Sequence, residues 1–190
     1  MITIAWLGIT GILAYRELFT DTAGMPPKFM LAVAPAVLFI IALLVSKKGQ
    51  AFADSSDLRM LTLLHIVRVP VELVLYWLAV NKAVPVLMTF EGRNFDIIAG
   101  ITSPVIYFIC FKGPEISNRR LLLAWNFICL ALLFNIVIHA VLSAPFSIQQ
   151  LAFDQPNIAV LYFPFVWLPA FIVMVVLFSH LVAIRRLLKK

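Results

Sequence analysis

Residues 121–144 read LLLAWNFICLALLFNIVIHAVLSA and contain no charged side chain. An α-helix rises about 1.5 Å per residue, so a run of this length crosses the roughly 30 Å hydrocarbon core of a bilayer. The run is continuously apolar and lacks the period-two alternation that is typical of a transmembrane β-strand. It therefore predicts a transmembrane helix.

Five further apolar runs flank this segment on both sides and are separated by polar, proline-containing or basic stretches. Together they predict an all-α, polytopic membrane helix bundle that forms a single domain over residues 1–190. The first run has 15 residues and is short for a span, which needs about 20. The six predicted spans are residues 1–15, 29–46, 60–80, 97–111, 121–144 and 158–184.

The composition favours the same class of protein. Hydrophobic residues make up 63% of the chain and charged residues only 13%, whereas soluble domains carry about 25% charged residues. A small soluble domain cannot hide so much apolar surface, so the bilayer is the expected partner. The net charge of +6 comes from loops and the C-terminus, which indicates membrane orientation rather than a nucleic-acid partner.

Basic residues are distributed unequally between the two sides of a six-span bundle. Cytoplasmic loops of membrane proteins carry an excess of Lys and Arg. The larger group therefore predicts a multi-pass protein of the cell membrane with both termini in the cytoplasm. Ten basic residues share one side (Lys47, Lys48, Arg59, Lys112, Arg119, Arg120, Arg185, Arg186, Lys189 and Lys190) and four share the other (Arg16, Lys28, Lys82 and Arg93).

Three ionisable residues interrupt the span at residues 60–80. His65, Arg68 and Glu72 follow the spacing i, i+3 and i+7, which places them on one helix face. A charge near the bilayer centre is costly, so this face is expected to point into the bundle, with Arg68 and Glu72 neutralising each other. Such residues mark a substrate or proton site by default, and helix–helix attachment is the alternative.

The span at residues 121–144 adds Asn126, Asn135 and His139. We expect these side chains to complete the polar intramembrane centre with the charged face. His139 would then be the outer entrance of a polar track that leads through Asn135 to Glu72 and Arg68. Hydrogen bonding between helices is the alternative interpretation.

Two outer loops are rich in polar side chains. In one interpretation they form a lid over the track, with Arg93 pairing with Asp154 or Glu91, and in the other they are ordinary hydrated loops. The candidate residues are Glu91, Arg93, Asn94, Asp96 and Asp154.

No cofactor or metal site is expected. His65 and His180 share a predicted depth and could bracket a haem, but no further soft ligand is nearby and HExxH is absent. Cys110 and Cys129 lie in apolar runs and are expected to be buried. Walker, GxSxG and paired-cysteine motifs are absent as well.

These features favour a small transport or solute-binding protein that handles a small polar solute or a proton. The first alternative is an intramembrane enzyme that acts on a lipid-like substrate by His/Glu acid–base chemistry. The second is an accessory subunit of a membrane complex whose charges bind a partner helix. The sequence leaves open whether the protein forms a homo-oligomer.

Overall fold

A computed structural model of the chain describes residues 2–189. Met1, in the first predicted span, and Lys190, in the basic tail, lie outside the described residues. The fold is all-helical apart from one short hairpin. The α-helices are α1 (Ile2–Tyr15), α2 (Met30–Val45), α3 (Lys47–Ser55), α4 (Leu58–Leu64), α5 (Arg68–Val80), α6 (Asp96–Cys110), α7 (Arg119–Ser143) and α8 (Val173–Leu188).

Short elements connect these helices. Four are single 3₁₀ turns, one is a π-helical stretch, and two are the strands of an antiparallel ladder in which Phe111 pairs with Ile116. The ladder closes the turn between α6 and α7. The connecting elements are the 3₁₀ turns Leu18–Thr20, His65–Val67, Val86–Met88 and Ala159–Leu161, the π-helical Leu168–Ile172, and the strands β1 (Phe111–Lys112) and β2 (Glu115–Ile116).

In the described part of the chain, three continuous helices are long and apolar enough to cross a membrane: Leu58–Val80, Arg119–Ser143 and Leu168–Leu188. A fourth span is possible if α2 and α3, which meet at an angle of 87°, are counted as one broken segment. The two other apolar helices, α1 and α6, have 14 and 15 residues. The large apolar side chains that remain exposed on α6 and α7, such as Phe108 and Ile128, suit contact with lipid.

Most predicted boundaries differ from the helices by only one or two residues, but the last one does not. The span predicted at residues 158–184 becomes continuous helix only at Leu168, with a π-helical start, and continues to Leu188. Residues 158–167 instead form a 3₁₀ turn and further turns. Pro164 provides a physical reason, since proline lacks a backbone donor and clashes with the preceding turn of a helix.

The helices that surround the charged span are closely packed. α7 packs against α6 and α8, and α6 also packs against α4 and α5. Gly100 of α6 allows close approach to α5, because an added Cβ would lie 2.8 Å from Val69 Cγ2 and 3.1 Å from the Val69 nitrogen. The backbone of α6 therefore lies directly against the turn that carries Arg68.

The short helix α3 is attached to the end of α8. Asp54 forms ion pairs with Arg185 (3.5 Å) and Lys189 (2.5 Å). Arg185 also donates to Gln50 Oε1 at 3.0 Å. The bend before α3 needs Gly49, since a Cβ there would overlap the backbone of Leu43.

Candidate functional site

Polar side chains from five segments meet inside the bundle, and we call this group the polar centre. All of its members are at most 6% exposed. They come from the continuous helix Leu58–Val80, which we call the α4–α5 span, from the segment before α6, and from helices α6, α7 and α8. The members are His65, Arg68, Glu72, Asn94, Asp96, Asn126, Ser179 and His180.

Arg68 is the hub of the polar centre. Its Nη1 donates to Asp96 Oδ1 at 3.0 Å and, more weakly, to the carbonyl of Cys129 at 3.4 Å. Its Nη2 donates to His180 Nε2 at 2.8 Å. The expected neutralisation of Arg68 by Glu72 is therefore wrong as a direct pair: in residues 2–189 the ion-pair partner is Asp96. Asp96 starts α6, and the close packing at Gly100 brings it within reach.

The hydrogen bonds define the tautomer of His180. A guanidinium can only donate, so the Nε2 that faces Arg68 must accept. The proton then lies on Nδ1, which donates to Asn126 Oδ1 at 2.9 Å. Asn126 Nδ2 in turn donates to the carbonyl of Leu122 at 2.9 Å, which fixes the amide orientation. A continuous chain of bonds thus links Asp96 to α7 through Arg68 and His180.

His65 stacks on His180. The ring centroids lie 4.0 Å apart with an interplanar angle of 18°, and Trp125 contacts His65 edge-on at 5.3 Å. Ser179 Oγ lies 2.9 Å from His65 Nε2. Rings in face-to-face contact, each with its Nε2 held by a protein group, do not bracket a haem, so that arrangement is not the one present. His65 Nδ1 has no hydrogen-bond partner among the described residues.

Glu72 lies one helical turn above Arg68 and is 1% exposed. Asn94 Nδ2 donates to its Oε1 and also to the carbonyl of Met88 at 3.1 Å. Asn94 Oδ1 accepts the backbone N–H of Asp96 at 3.1 Å. The second carboxyl oxygen, Oε2, has no partner in the part of the chain that is described.

The segment between α5 and α6 covers this carboxyl. Residues 86–95, which we call the outer segment, fold inward so that Met88, Thr89 and Asn94 are buried. A Cβ at Gly92 would overlap the backbone at Val86 and Leu87, so this tight turn requires glycine. Two residues predicted for an outer loop, Asn94 and Asp96, therefore belong to the polar centre instead.

The remaining outer-loop candidates lie elsewhere. Glu91, Arg93 and Asp154 are exposed. The pairing of Arg93 with Asp154 or Glu91, which belonged to the lid interpretation, is not among the ion pairs formed within residues 2–189. These three side chains are thus those of hydrated loops in this structure.

Asn135 and His139 contact the outer segment rather than the buried charges. Asn135 Nδ2 donates to the carbonyl of Arg93 at 2.8 Å, and His139 Nδ1 lies 2.8 Å from the carbonyl of Asn135. Both side chains are half-buried. Of the three polar residues predicted on α7, only Asn126 joins the polar centre.

An apolar groove runs beside the polar centre on the outside of the bundle. Its volume is about 280 Å³, and it lies between α5 and the start of the last span. Pro70 and Val74 line one wall, and Phe165 and Leu168 line the other. No member of the polar centre lines it, so the groove offers apolar contact but no ionisable group.

Sequence reasoning missed the roles of Asn94, Asp96, Ser179 and His180 as partners of the charged face. The equal depth predicted for His65 and His180 was a sequence signal for one of these contacts, the stacking of the two rings. Among residues 2–189, no cluster of three or more His, Cys, Asp or Glu side chains is arranged to hold a metal ion. The side chains of the polar centre can donate and accept hydrogen bonds, exchange protons and pair charges.

One of the comparisons with known proteins identifies a family. Neither the curated proteins nor the solved structures match the chain. The family model described as a domain of unknown function (DUF8737) matches residues 26–188, a range that begins after α1 and includes every residue of the polar centre. The chain therefore belongs to the DUF8737 family.

Proposed function

We propose that this protein is a multi-pass membrane protein whose polar centre binds or transports a proton or a small polar solute. In this proposal α1, α2, the α4–α5 span, α6, α7 and the last helix are six spans, with both termini in the cytoplasm. The unequal distribution of Lys and Arg between the loops supports this orientation.

One observation carries the functional part of the proposal. The buried polar centre contains three polar atoms that no group within residues 2–189 satisfies: His65 Nδ1, Arg68 Nε and Glu72 Oε2. An unsatisfied polar atom in a protein interior is costly, and water or a bound polar molecule commonly supplies the missing partner. A centre of this kind suits a small polar ligand better than an apolar one.

The two alternatives fit less well. An accessory subunit that binds a partner helix through its charges would expose them on the outside of the bundle, whereas Arg68 and Asp96 are 3% and 6% exposed. An enzyme that acts on lipid would need its acid–base groups in a cavity open to lipid. The groove beside α5 has an apolar lining and contains no acid–base group.

Purified protein in liposomes that enclose a pH-sensitive dye tests the proposal. A potassium gradient with valinomycin sets an inside-negative potential, and proton entry acidifies the interior. We expect acidification several-fold faster than in protein-free liposomes, and a clear loss of this flux in Glu72→Gln. Glu115→Gln, which changes an exposed hairpin carboxyl, is the matched control and should behave as the parent protein does.

Solute binding is tested in the same preparations by thermal stabilisation with panels of small polar molecules. We expect stabilisation by a binding solute to disappear in Glu72→Gln and to persist in Glu115→Gln. A folded protein that shows neither proton flux nor any Glu72-dependent stabilisation would overturn the proposed function.

A further inference from the structure

The charges of the polar centre do not balance if every carboxyl is ionised. Arg68 contributes one positive charge and Asp96, 3.0 Å away, cancels it. His180 accepts a hydrogen bond from Arg68 through Nε2 and donates through Nδ1, which is the pattern of a neutral imidazole. His65 forms no ion pair among the described residues, and a proton on its Nδ1 would find no acceptor there. An ionised Glu72 would therefore leave one negative charge without a counterion.

None of the ion pairs formed within the described part of the chain involves Glu72. Its donor is the neutral amide of Asn94, from the outer segment. On its own span, Arg68 is already engaged by Asp96 and His180, and His65 lies a further turn away and stacks on His180. From α6, Asp96 carries the same sign of charge as an ionised Glu72.

An isolated carboxylate in a protein interior is strongly disfavoured unless it is paired, whereas a protonated carboxyl needs only hydrogen bonds. The two oxygens of Glu72 differ in their hydrogen bonding, as the oxygens of a protonated carboxyl do. Oε1 accepts from Asn94, and Oε2 is free of any described partner. A hydroxyl proton therefore fits on Oε2 without displacing an existing bond.

We infer that the proton is the ligand of the polar centre and that Glu72 is the group that carries it, an inference that rests on the proposed function. Glu72 takes one proton from a hydronium ion and leaves water, and it later returns that proton to water. No other bond changes. The outer segment, which holds Asn94 against the carboxyl and covers it, separates the loaded carboxyl from outer water.

Infrared spectroscopy of the protein in liposomes tests this inference without any transport assay. Protein labelled with ¹³C-glutamate should show a carboxylic-acid carbonyl band at neutral pH that shifts with the label and in D₂O. The band should vanish in Glu72→Gln and remain in Glu91→Gln, which alters an exposed carboxyl next to the buried part of the outer segment. Absence of a protonated glutamate in the labelled parent protein would overturn the inference, even if the variants failed to fold.

Thermal unfolding gives a second, independent test. Glutamine resembles a protonated glutamate in shape and charge, so Glu72→Gln should unfold within a degree or so of the parent protein at neutral pH. A marked fall in midpoint would mean that Glu72 is ionised and paired, and would overturn the inference. So would a carboxylate band at Glu72 that responds to Na⁺ or K⁺, because the ligand would then be a metal cation.

The two tests separate the inference from the proposed function. If Glu72 is protonated but the protein carries no proton flux and binds no solute, the inference that Glu72 holds a proton stands and the proposed transport function is wrong. If proton flux survives in Glu72→Gln and Glu72 is ionised in the parent protein, the proposed transport function stands and the inference that Glu72 carries the proton is wrong.

Discussion

Arg68 Nη1 lies 3.0 Å from Asp96 Oδ1, and both side chains are almost fully buried. The pair joins the middle of the α4–α5 span to the first residue of α6. In a bilayer a guanidinium at this depth must face protein, and Asp96 is the acid that makes the position tolerable. The pair therefore connects the N-terminal end of α6 to α5 inside the bundle.

Removing one partner of this pair should be strongly destabilising. Asp96→Asn leaves the Arg68 charge uncompensated, and breaking a buried pair in this way typically costs about 3–5 kcal/mol. The double variant Arg68→Met with Asp96→Leu removes both charges and should recover much of the loss. Thermal or denaturant unfolding in detergent measures the coupling, with Glu91→Gln as the control. Equal stability of the single variants and the parent protein would show that the two charges are not buried together.

Gly100→Ala should separate α6 from α5. The added Cβ would lie 2.8 Å from Val69 Cγ2 and 3.1 Å from the Val69 nitrogen, so the Val69 side chain or one of the two helices must shift. Overpacking of this kind typically costs about 1–3 kcal/mol. The matched control is Gly8→Ala in α1, where an added Cβ meets nothing within 4 Å. That change should be neutral or stabilising by up to about 1 kcal/mol, because alanine favours helix.

The proposed topology predicts which positions react with a membrane-impermeant thiol reagent in intact cells. Arg93→Cys and Asp154→Cys should be labelled from outside, since both positions are exposed and the proposed topology places their loops outside. Lys189→Cys should react only after the membrane is opened. Cys110 and Cys129 are 0% and 2% exposed and should stay silent, which gives a low background. Labelling of position 189 in intact cells would contradict the proposed orientation.

Attachment of α3 to α8 should weaken in acid. The hydrogen bond from Lys189 lowers the pKa of Asp54, and partial desolvation opposes this. A carboxyl with a lowered pKa in the folded protein stabilises the fold above its unfolded pKa, and this contribution is lost as pH falls through the lowered value. Amide-exchange protection in Lys47–Ser55 should therefore decrease on acidification. In Asp54→Asn it should be low at every pH, and high salt should act like acid because the pair is exposed.

The sequence predicted the long helices well because their signal is local. The uncharged run at residues 121–144 corresponds to Arg119–Ser143, and the run at 60–80 corresponds to Leu58–Val80. The stretch at residues 158–167 has the same apolar composition but is not helical beyond a 3₁₀ turn. Hydropathy reports which solvent a segment prefers, and it does not report where prolines interrupt the backbone hydrogen bonds.

Part of the polar centre was also predictable, because the spacing of its residues along the α4–α5 span is a local signal. Helical spacing put His65, Arg68 and Glu72 on one face, and all three are buried. Their partners depend on tertiary packing: Asp96 reaches Arg68 because Gly100 permits close contact, and Asn94 reaches Glu72 because the outer segment folds inward. Neither the inward fold nor the close contact has a local signature in the chain.

The 3₁₀ turn at His65–Val67 rotates α5 about its own axis relative to α4. A 3₁₀ turn winds about 120° per residue and an α-helix about 100°, so three residues advance α5 by roughly 60°. Pro70 supports this change of pitch, because it cannot donate to the carbonyl of Ile66. If the turn relaxed to α-helix, Glu72 would rotate away from Asn94 while His65 stayed in place. The tighter winding thus sets the angular offset between the two halves of the span.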